Sequence, residues 1–153
     1  METQVPTMQA ENSGISPKLR TYGQLRGWTL QRHTIANGGA TLDLSSPTMD
    51  IATHTTGYYV SGKGTVHSFP VRSDVRPYQR AIGDAYAASQ GTGLVGTWVH
   101  AGRVYAELAE HYTCRMTALI AARKSGQMEI FDIAAKKSIP VELSPKWGYP
   151  NAD

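Results

Sequence analysis

The segment "LVGTWVHAGRVYAELAE", residues 94–110, decides the expected fold. Two runs rich in β-branched and aromatic residues flank Ala101-Gly102, and runs separated in this way predict a β-hairpin. Gly102 is placed for the left-handed backbone position that closes such a hairpin with a bulge. We therefore expect two adjacent antiparallel strands here.

A helix and a second hairpin are expected after this segment. Thr113 is placed to cap "CRMTALIAARKSG", Arg123 and Lys124 suit the negative end of the helix dipole, and Gly126 ends the helix. The runs "QMEIFDI" and "SIPVEL" then flank "AAKK". Because Pro140 cannot donate a backbone hydrogen bond, the last strand is expected at an edge of the sheet.

Another helix is predicted before residue 94. "SDVRPYQRAIGDAYAASQGTG" opens with Ser73 or Asp74 as the N-cap and closes with glycines. Residues recurring every fourth position are expected to share a face, and these are Tyr78, Ile82 and Tyr86. Gly83 costs about 1 kcal/mol relative to alanine inside a helix. Its presence therefore suggests close packing against this position.

Residues 28–70 are interpreted as β structure built from two further hairpins. "WTLQRHTI" and "ATLDL" flank Asn37-Gly38, a strong short-range hairpin signal, while "YYV" and "TVHSF" flank "SGKG". Together with the later elements, this predicts an α+β domain whose antiparallel sheet, built from β-hairpins, carries two helices on one face.

The expected organisation is one domain with a tail at each end. The polar composition of residues 1–20 predicts a disordered tail, and residues 144–153 a C-terminal tail. Residues 21–143 form the domain, with a β-rich part at 28–70 and a helix-hairpin-helix-hairpin part at 73–143. A chain of 153 residues has room for one domain of this kind.

Charge and cysteine content exclude several classes of function. The chain has 15 Lys and Arg against 12 Asp and Glu, and it contains no run of four basic residues, so a dedicated basic DNA-binding face is not indicated. The single cysteine, Cys114, excludes an intramolecular disulfide and fits a reducing compartment. No apolar run approaches the roughly 20 residues of a membrane span, so we expect no membrane partner.

The stretch "GYYVSGKGT", residues 57–65, is close to a phosphate-binding P-loop. Gly57, Gly62 and Lys63 occupy the expected positions, but Gly64 stands where a Mg²⁺-binding Ser or Thr belongs. A P-loop also requires a helix directly after the lysine, and "GTVHSFP" is a β-forming run that ends in proline. We interpret Ser61–Gly64 as a hairpin turn and expect no cofactor.

No metal site or reaction centre is expected. His100, His111 and Cys114 are the only cluster with metal-type ligands, but His100 lies at the opposite end of the hairpin from the other two. The chain has no G-x-S-x-G motif, and Glu107 and Glu110 are predicted on opposite faces of a strand. We therefore do not expect an enzyme.

Aromatic and basic residues alternate on two of the predicted hairpins. Exposed rings beside cations on a sheet can stack on unpaired bases, although such residues are also common in sheet cores and cross-strand pairs. Both interpretations stay open at this stage. The candidate binding residues are Tyr58, Tyr59, Lys63, His100 and Arg103.

The stretch 92–143 resembles small uncharacterised proteins of actinobacteria and their phages. The resemblance is carried by the G-x-W hairpin at "GTWVHAGRVYAEL", an Ala-rich helix, and the Q-x-x-I-F-D strand at "QMEIFD". Glu107 stands where this pattern usually has Asp. The resemblance implies a phage or mobile-element protein in the cytoplasm of a bacterial host, and implies no catalytic residues.

Three functions are compatible with these observations. The preferred hypothesis is a non-catalytic binding protein that inhibits a host defence or nucleic-acid-processing system, with a host protein or protein–nucleic-acid complex as its partner. The alternatives are a single-stranded nucleic-acid-binding protein and a virion or assembly component.

Overall fold

A computed structural model of the chain describes residues 16–61 and 67–141, which form three helices and seven strands. The helices are α1 (Pro17–Asn37), α2 (Arg76–Ser89) and α3 (Arg115–Lys124). The strands are β1 (Gly39–Asp43), β2 (Tyr58–Ser61), β3 (His67–Pro70), β4 (Leu94–His100), β5 (Arg103–Tyr112), β6 (Glu129–Asp132) and β7 (Lys137–Pro140).

The ten-residue strand β5 is the centre of a fully antiparallel sheet with the order β1-β4-β5-β2-β6-β7. One edge of β5 pairs with β4, which confirms the hairpin predicted at 94–110. The turn is tighter than predicted, since Ala101 and Gly102 both have positive φ angles (52° and 77°) and His100 pairs directly with Arg103 without a bulge. The predicted edge position of Pro140 is confirmed, because β7 is the last strand of the sheet.

All three helices of the described chain pack on one face of this sheet. α1 is joined to the sheet by the buried hydroxyls of Thr34 and Thr97, 2.6 Å apart. Ala118 and Leu119 of α3 pack against Val60 of β2 on the same side. The predicted α+β architecture is therefore confirmed, with a third helix in addition to the two expected.

The buried side chains form two separate cores on this face. The larger core lies between α1, α2 and the β1–β4–β5 part of the sheet, and it includes Leu30, Leu42, Tyr78, Ile82 and Val95. The smaller core consists of five buried residues, which are Val60, Ala118, Leu119, Ala122 and Ile130. Strand β5 connects the two parts, because it pairs with both β4 and β2.

The first correction concerns residues 28–37, which are helical and not a strand. Ser16 Oγ caps α1 by accepting hydrogen bonds from the N–H groups of Lys18 (3.0 Å) and Leu19 (3.4 Å). Gly38 has a left-handed backbone and donates its N–H to Thr34 O at 2.9 Å. Asn37-Gly38 is therefore a helix end, which uses the same positive φ angle as a hairpin turn. The predicted tail also changes: residues 17–20 belong to α1, while 1–15 and 142–153 lie outside the described residues.

The second correction concerns β2 and β3, which do not form a hairpin with each other. β2 pairs with residues 109–112 of β5, and β3 pairs with residues 103–106 of the same strand. The two strands therefore run in the same direction along one edge of β5. Lys63 and the predicted turn lie outside the described residues. The strand β3 follows this stretch, where a P-loop would require a helix.

The expected close packing at Gly83 is wrong, because a Cβ atom built there meets, outside the backbone of its own helix, no atom of residues 16–61 and 67–141 within 4 Å. We therefore expect Gly83→Ala to raise the free energy of unfolding by about 0.5–1 kcal/mol through lower backbone entropy of the unfolded chain. Urea unfolding followed by circular dichroism measures this change.

The matched control is Gly27→Ala in α1. A Cβ atom at Gly27 would lie 2.6 Å from Gln79 Cγ and 3.2 Å from Val75 Cγ2. This variant is expected to gain nothing or to lose stability. Equal stabilisation by both substitutions would contradict the packing difference.

Candidate binding site on the open sheet face

The second face of the sheet carries no helix of the described chain, and we call it the open face. Side chains alternate between faces along a strand, and directly paired residues share a face. The registers therefore place a row of large side chains on the open face, consisting of Trp98, Tyr105, Glu107, His111, Tyr59 and Phe131.

The first ring pair on the open face lies beside the β4–β5 turn. Trp98 and Tyr105 are stacked with ring centroids 5.5 Å apart and an interplanar angle of 18°, and Trp98 is 38% exposed. His100 and Arg103 follow at the turn, where Arg103 Nε donates a hydrogen bond to Ser68 Oγ at 3.0 Å. Two of the residues predicted from the sequence therefore flank an exposed pair of rings.

The second ring cluster lies at the other end of β5. Tyr59 stacks with Phe131 at 6.5 Å, and it meets His111 edge-on at 5.9 Å. The connection 52–57 brings His54 onto His111, with ring centroids 3.8 Å apart and an angle of 11°. His111 Nε2 donates to Thr56 O at 2.9 Å, since a carbonyl oxygen can only accept. This connection therefore covers one side of the His111 ring, while the Phe131 ring stays 38% exposed and is the accessible part of the cluster.

Two polar groups of the second cluster, His54 and Tyr59, are neutral near pH 7. Burial and the neighbouring His111 lower the pKa of His54, although the Asp43 carboxylate partly opposes this. Burial, with a contribution from Asp43, raises the pKa of Tyr59. His54 Nδ1 and Tyr59 OH lie 3.1 Å apart and form a hydrogen bond between uncharged groups. A ligand at this end of the open face would therefore interact with aromatic rings by stacking, and less through charged side chains.

Glu107 lies between the two ring clusters and is only 7% exposed. Its Oε2 atom is buried and has no hydrogen-bond partner in the described part of the chain. Burial raises the pKa of the Glu107 carboxyl, and a hydrogen bond from the Ser61 side chain offsets part of this rise. The structure also confirms that Glu107 and Glu110 occupy opposite faces, because Glu110 pairs with the inward-facing Val60.

Glu107→Gln is expected to stabilise the protein near neutral pH by about 1 kcal/mol, because it removes a buried charge that lacks a full set of partners. A raised carboxyl pKa contributes stability that is present below the ordinary value of 4.5 and is lost as the pH rises through the folded-state pKa. The stability difference between variant and wild type should therefore be largest at pH 7–8 and vanish below about pH 4.

The control for this prediction is Glu129→Gln, which neutralises an exposed carboxylate on the same face. Thermal unfolding of both variants between pH 3 and pH 8 makes the comparison. A gain for Glu107→Gln that does not change with pH would show that ionisation of this side chain is not the cause.

An open cleft of about 740 Å³ lies at the second half of β5. It is bounded by the end of α2, the start of β4 and the connection that carries His54, and its lining includes Asp43, Leu108 and Glu110. Tyr112 OH donates to Glu110 Oε1 at 2.7 Å, and this bond raises the pKa of Tyr112 to about 12. The cleft therefore adjoins the second ring cluster, although it is lined from both faces of the sheet.

The structure assigns different positions to the predicted residues. The open face carries Tyr59, His100 and Arg103. Tyr58 does not lie on this face: its register places it on the helix side, where it packs against the smaller core. Lys63 lies outside the described residues.

The candidate binding residues predicted from the sequence do not include five rings of the site, which are Trp98, Tyr105, His111, Phe131 and His54. Phe131 alternates with the inward-facing Ile130, which could have placed it on the outer face. His54 lies in a connection with no periodic pattern, so no local signal pointed to it. Within the described ranges, no three His, Cys, Asp or Glu side chains come close enough together to hold a metal ion.

Comparisons with known proteins find no matching family model, no matching curated protein and no matching solved structure. None of the helices in the described ranges has the length and apolar character needed to cross a bilayer.

Proposed function

We propose that the protein is a non-catalytic binding protein that takes up unpaired nucleic acid on its open face. The observation that carries this proposal is the presence of two ring clusters on one face that carries no helix of the described residues, with His100 and Arg103 beside the first cluster. Bases of any sequence can stack on such rings, and nearby cations attract the phosphates.

The distance between the two ring clusters suits a short piece of single-stranded nucleic acid. Tyr105 and His111 lie six positions apart on β5, which corresponds to about 20 Å at roughly 3.3 Å per residue. This length matches a few nucleotides, the lower end of the site sizes found in single-strand-binding domains. Glu107, between the clusters, is buried, so it adds little negative charge to the exposed surface.

The direct test is binding of a fluorescent 12-nucleotide oligo-dT, followed by anisotropy between 50 and 200 mM salt. The affinity is expected to fall steeply with salt, because each phosphate contact releases counterions. A duplex of equal length serves as the control and should bind more weakly, since its bases are already stacked. Absent binding, or binding that does not respond to salt, would refute the proposal.

The biological setting that we propose rests on the sequence resemblance to small proteins of actinobacteria and their phages. We propose that the protein acts in the cytoplasm of a bacterial host by occupying a nucleic acid, or a protein–nucleic-acid complex, of a defence or processing system. Affinity purification from host lysate with and without nuclease treatment tests this. Loss of the co-purified complex after nuclease supports the proposal, and an unchanged complex argues for direct protein contact instead.

A further inference from the structure

The outer side of α1 exposes a stripe of large apolar side chains. Leu25 is 57% exposed, Trp28 56% and Ile35 40%. These positions, separated by three and seven residues, lie on the same side of a helix. The opposite side of α1 is the buried one, where Leu30 and Thr34 meet the sheet and α2. We call Leu25, Trp28 and Ile35 the α1 stripe.

The charge of α1 has one sign only. The segment Pro17–Asn37 contains Lys18, Arg20, Arg26 and Arg32, and it contains no Asp or Glu. Arg32 is exposed and lies between Trp28 and Ile35 on the outer side. The α1 stripe is therefore an apolar strip on a cationic helix, and it faces away from the sheet and its open face.

We infer that the α1 stripe docks into an apolar groove rimmed by carboxylates on a partner protein. Helices that bind in this way anchor themselves through apolar residues three, four and seven positions apart, and the stripe has the spacings of three and seven. The stripe carries the exposed Arg32 between Trp28 and Ile35, and its helix has no carboxylate, so an acidic rim on the partner is complementary to it. The surface is separate from the proposed nucleic-acid site, so each can be tested without the other.

Two other occupants, a second copy of the chain and nucleic acid, fit the α1 stripe less well. A symmetric dimer through this helix would bring two identical surfaces together, and each would carry the exposed Arg32 and no carboxylate of α1. Nucleic acid would satisfy the charge, but Leu25 and Ile35 have neither a ring to stack on a base nor a polar group to bind one. A partner protein with an acidic rim satisfies both the charge and the apolar anchors.

Photo-crosslinking from the stripe tests the inference on the full-length protein. A benzophenone amino acid replaces Thr21, which is exposed one turn before Leu25, and in a control protein it replaces the exposed Ala87 of α2. Both proteins are irradiated in nuclease-treated bacterial lysate, and adducts are identified by mass spectrometry. We expect an adduct with an acidic protein from position 21 only.

The identified partner is then purified, and its affinity is measured for three variants. Trp28→Ala is expected to weaken binding about 30-fold, the effect of losing a central aromatic anchor. Arg32→Glu should weaken it several-fold, and more at low salt. Met128→Gln, a change at a strongly exposed apolar residue outside α1, should leave the affinity unchanged.

Several outcomes would overturn the inference. One is the absence of a position-specific adduct, and another is an adduct partner that binds Trp28→Ala as tightly as wild type. Trp28-dependent binding to phosphatidylglycerol vesicles without any protein adduct would assign the stripe to a membrane surface. A dimer in light scattering that Trp28→Ala dissociates would assign it to a second copy of the chain.

Discussion

Trp98→Ala is expected to weaken binding of an unpaired oligonucleotide by about 5- to 150-fold, which corresponds to the roughly 1–3 kcal/mol that one base–aromatic stack contributes. The indole is exposed on the open face and is held flat against Tyr105, so its loss removes a rigid surface on which a base can stack. Fluorescence anisotropy with oligo-dT at low salt measures the change.

The matched control is Trp28→Ala, which removes an exposed indole from the opposite side of the molecule. This variant should bind the oligonucleotide as wild type does. Trp98→Phe should retain much of the affinity, because a phenyl ring still stacks. Equal weakening by Trp98→Ala and Trp28→Ala would mean that the open face is not the binding surface.

Leu119→Ala is expected to lower the free energy of unfolding by about 2–5 kcal/mol. Leu119 is almost fully buried and is the largest side chain of α3 in the smaller core, which has only five buried members. With so few buried neighbours, other apolar side chains can fill little of the cavity that Leu119→Ala leaves. Urea unfolding measures the loss, and Ile120→Ala, at a partly exposed position of the same helix, should cost less than about 1 kcal/mol.

The elements that lose hydrogen-exchange protection in each variant show whether the two cores unfold separately. Hydrogen exchange of Leu119→Ala should show faster exchange in α3, β6 and β7, while α1 and α2 keep most of their protection. Ile82→Ala in the larger core should instead reduce protection in α1 and α2. Uniform loss of protection in both variants would show that the cores unfold as one unit.

The elements predicted well from sequence are those with short-range signals. The β4–β5 and β6–β7 hairpins each combine alternating apolar residues with a short turn, and α2 has apolar residues at a helical spacing. The first residues of α2 and α3 differ slightly from the predicted ones. α2 begins at Arg76, whose N–H is bound by Asp74 Oδ1, while α3 begins at Arg115 without the predicted cap from Thr113.

Helix α1 was missed because its sequence has no clear apolar face. Its buried side includes the polar Thr34, while its exposed side carries Leu25, Trp28 and Ile35, so the two sides are similarly apolar. The Asn37-Gly38 pair was also ambiguous, since a positive φ angle at Gly38 serves a helix end as well as a hairpin. Only the contacts of residues 28–37 with the sheet distinguish a helix end at Gly38 from a hairpin turn.

The site depends on long-range pairing that local patterns do not encode. Tyr59 pairs with His111, and His54 reaches the same ring through a connection without periodicity. The exposed side of β4 and β5 was predictable from alternation. The second cluster required knowing that β2 pairs with β5 and β6, which no turn signal between them specifies.

The late position of β5 in the chain has a consequence for biosynthesis. β1, β2 and β3 leave the ribosome before Arg103–Tyr112, and β2 and β3 pair with that segment. A nascent chain that has not yet delivered β5 therefore presents strands with unsatisfied backbone groups and exposed apolar side chains. Chaperone dependence during translation should fall sharply once residue 112 has emerged from the exit tunnel.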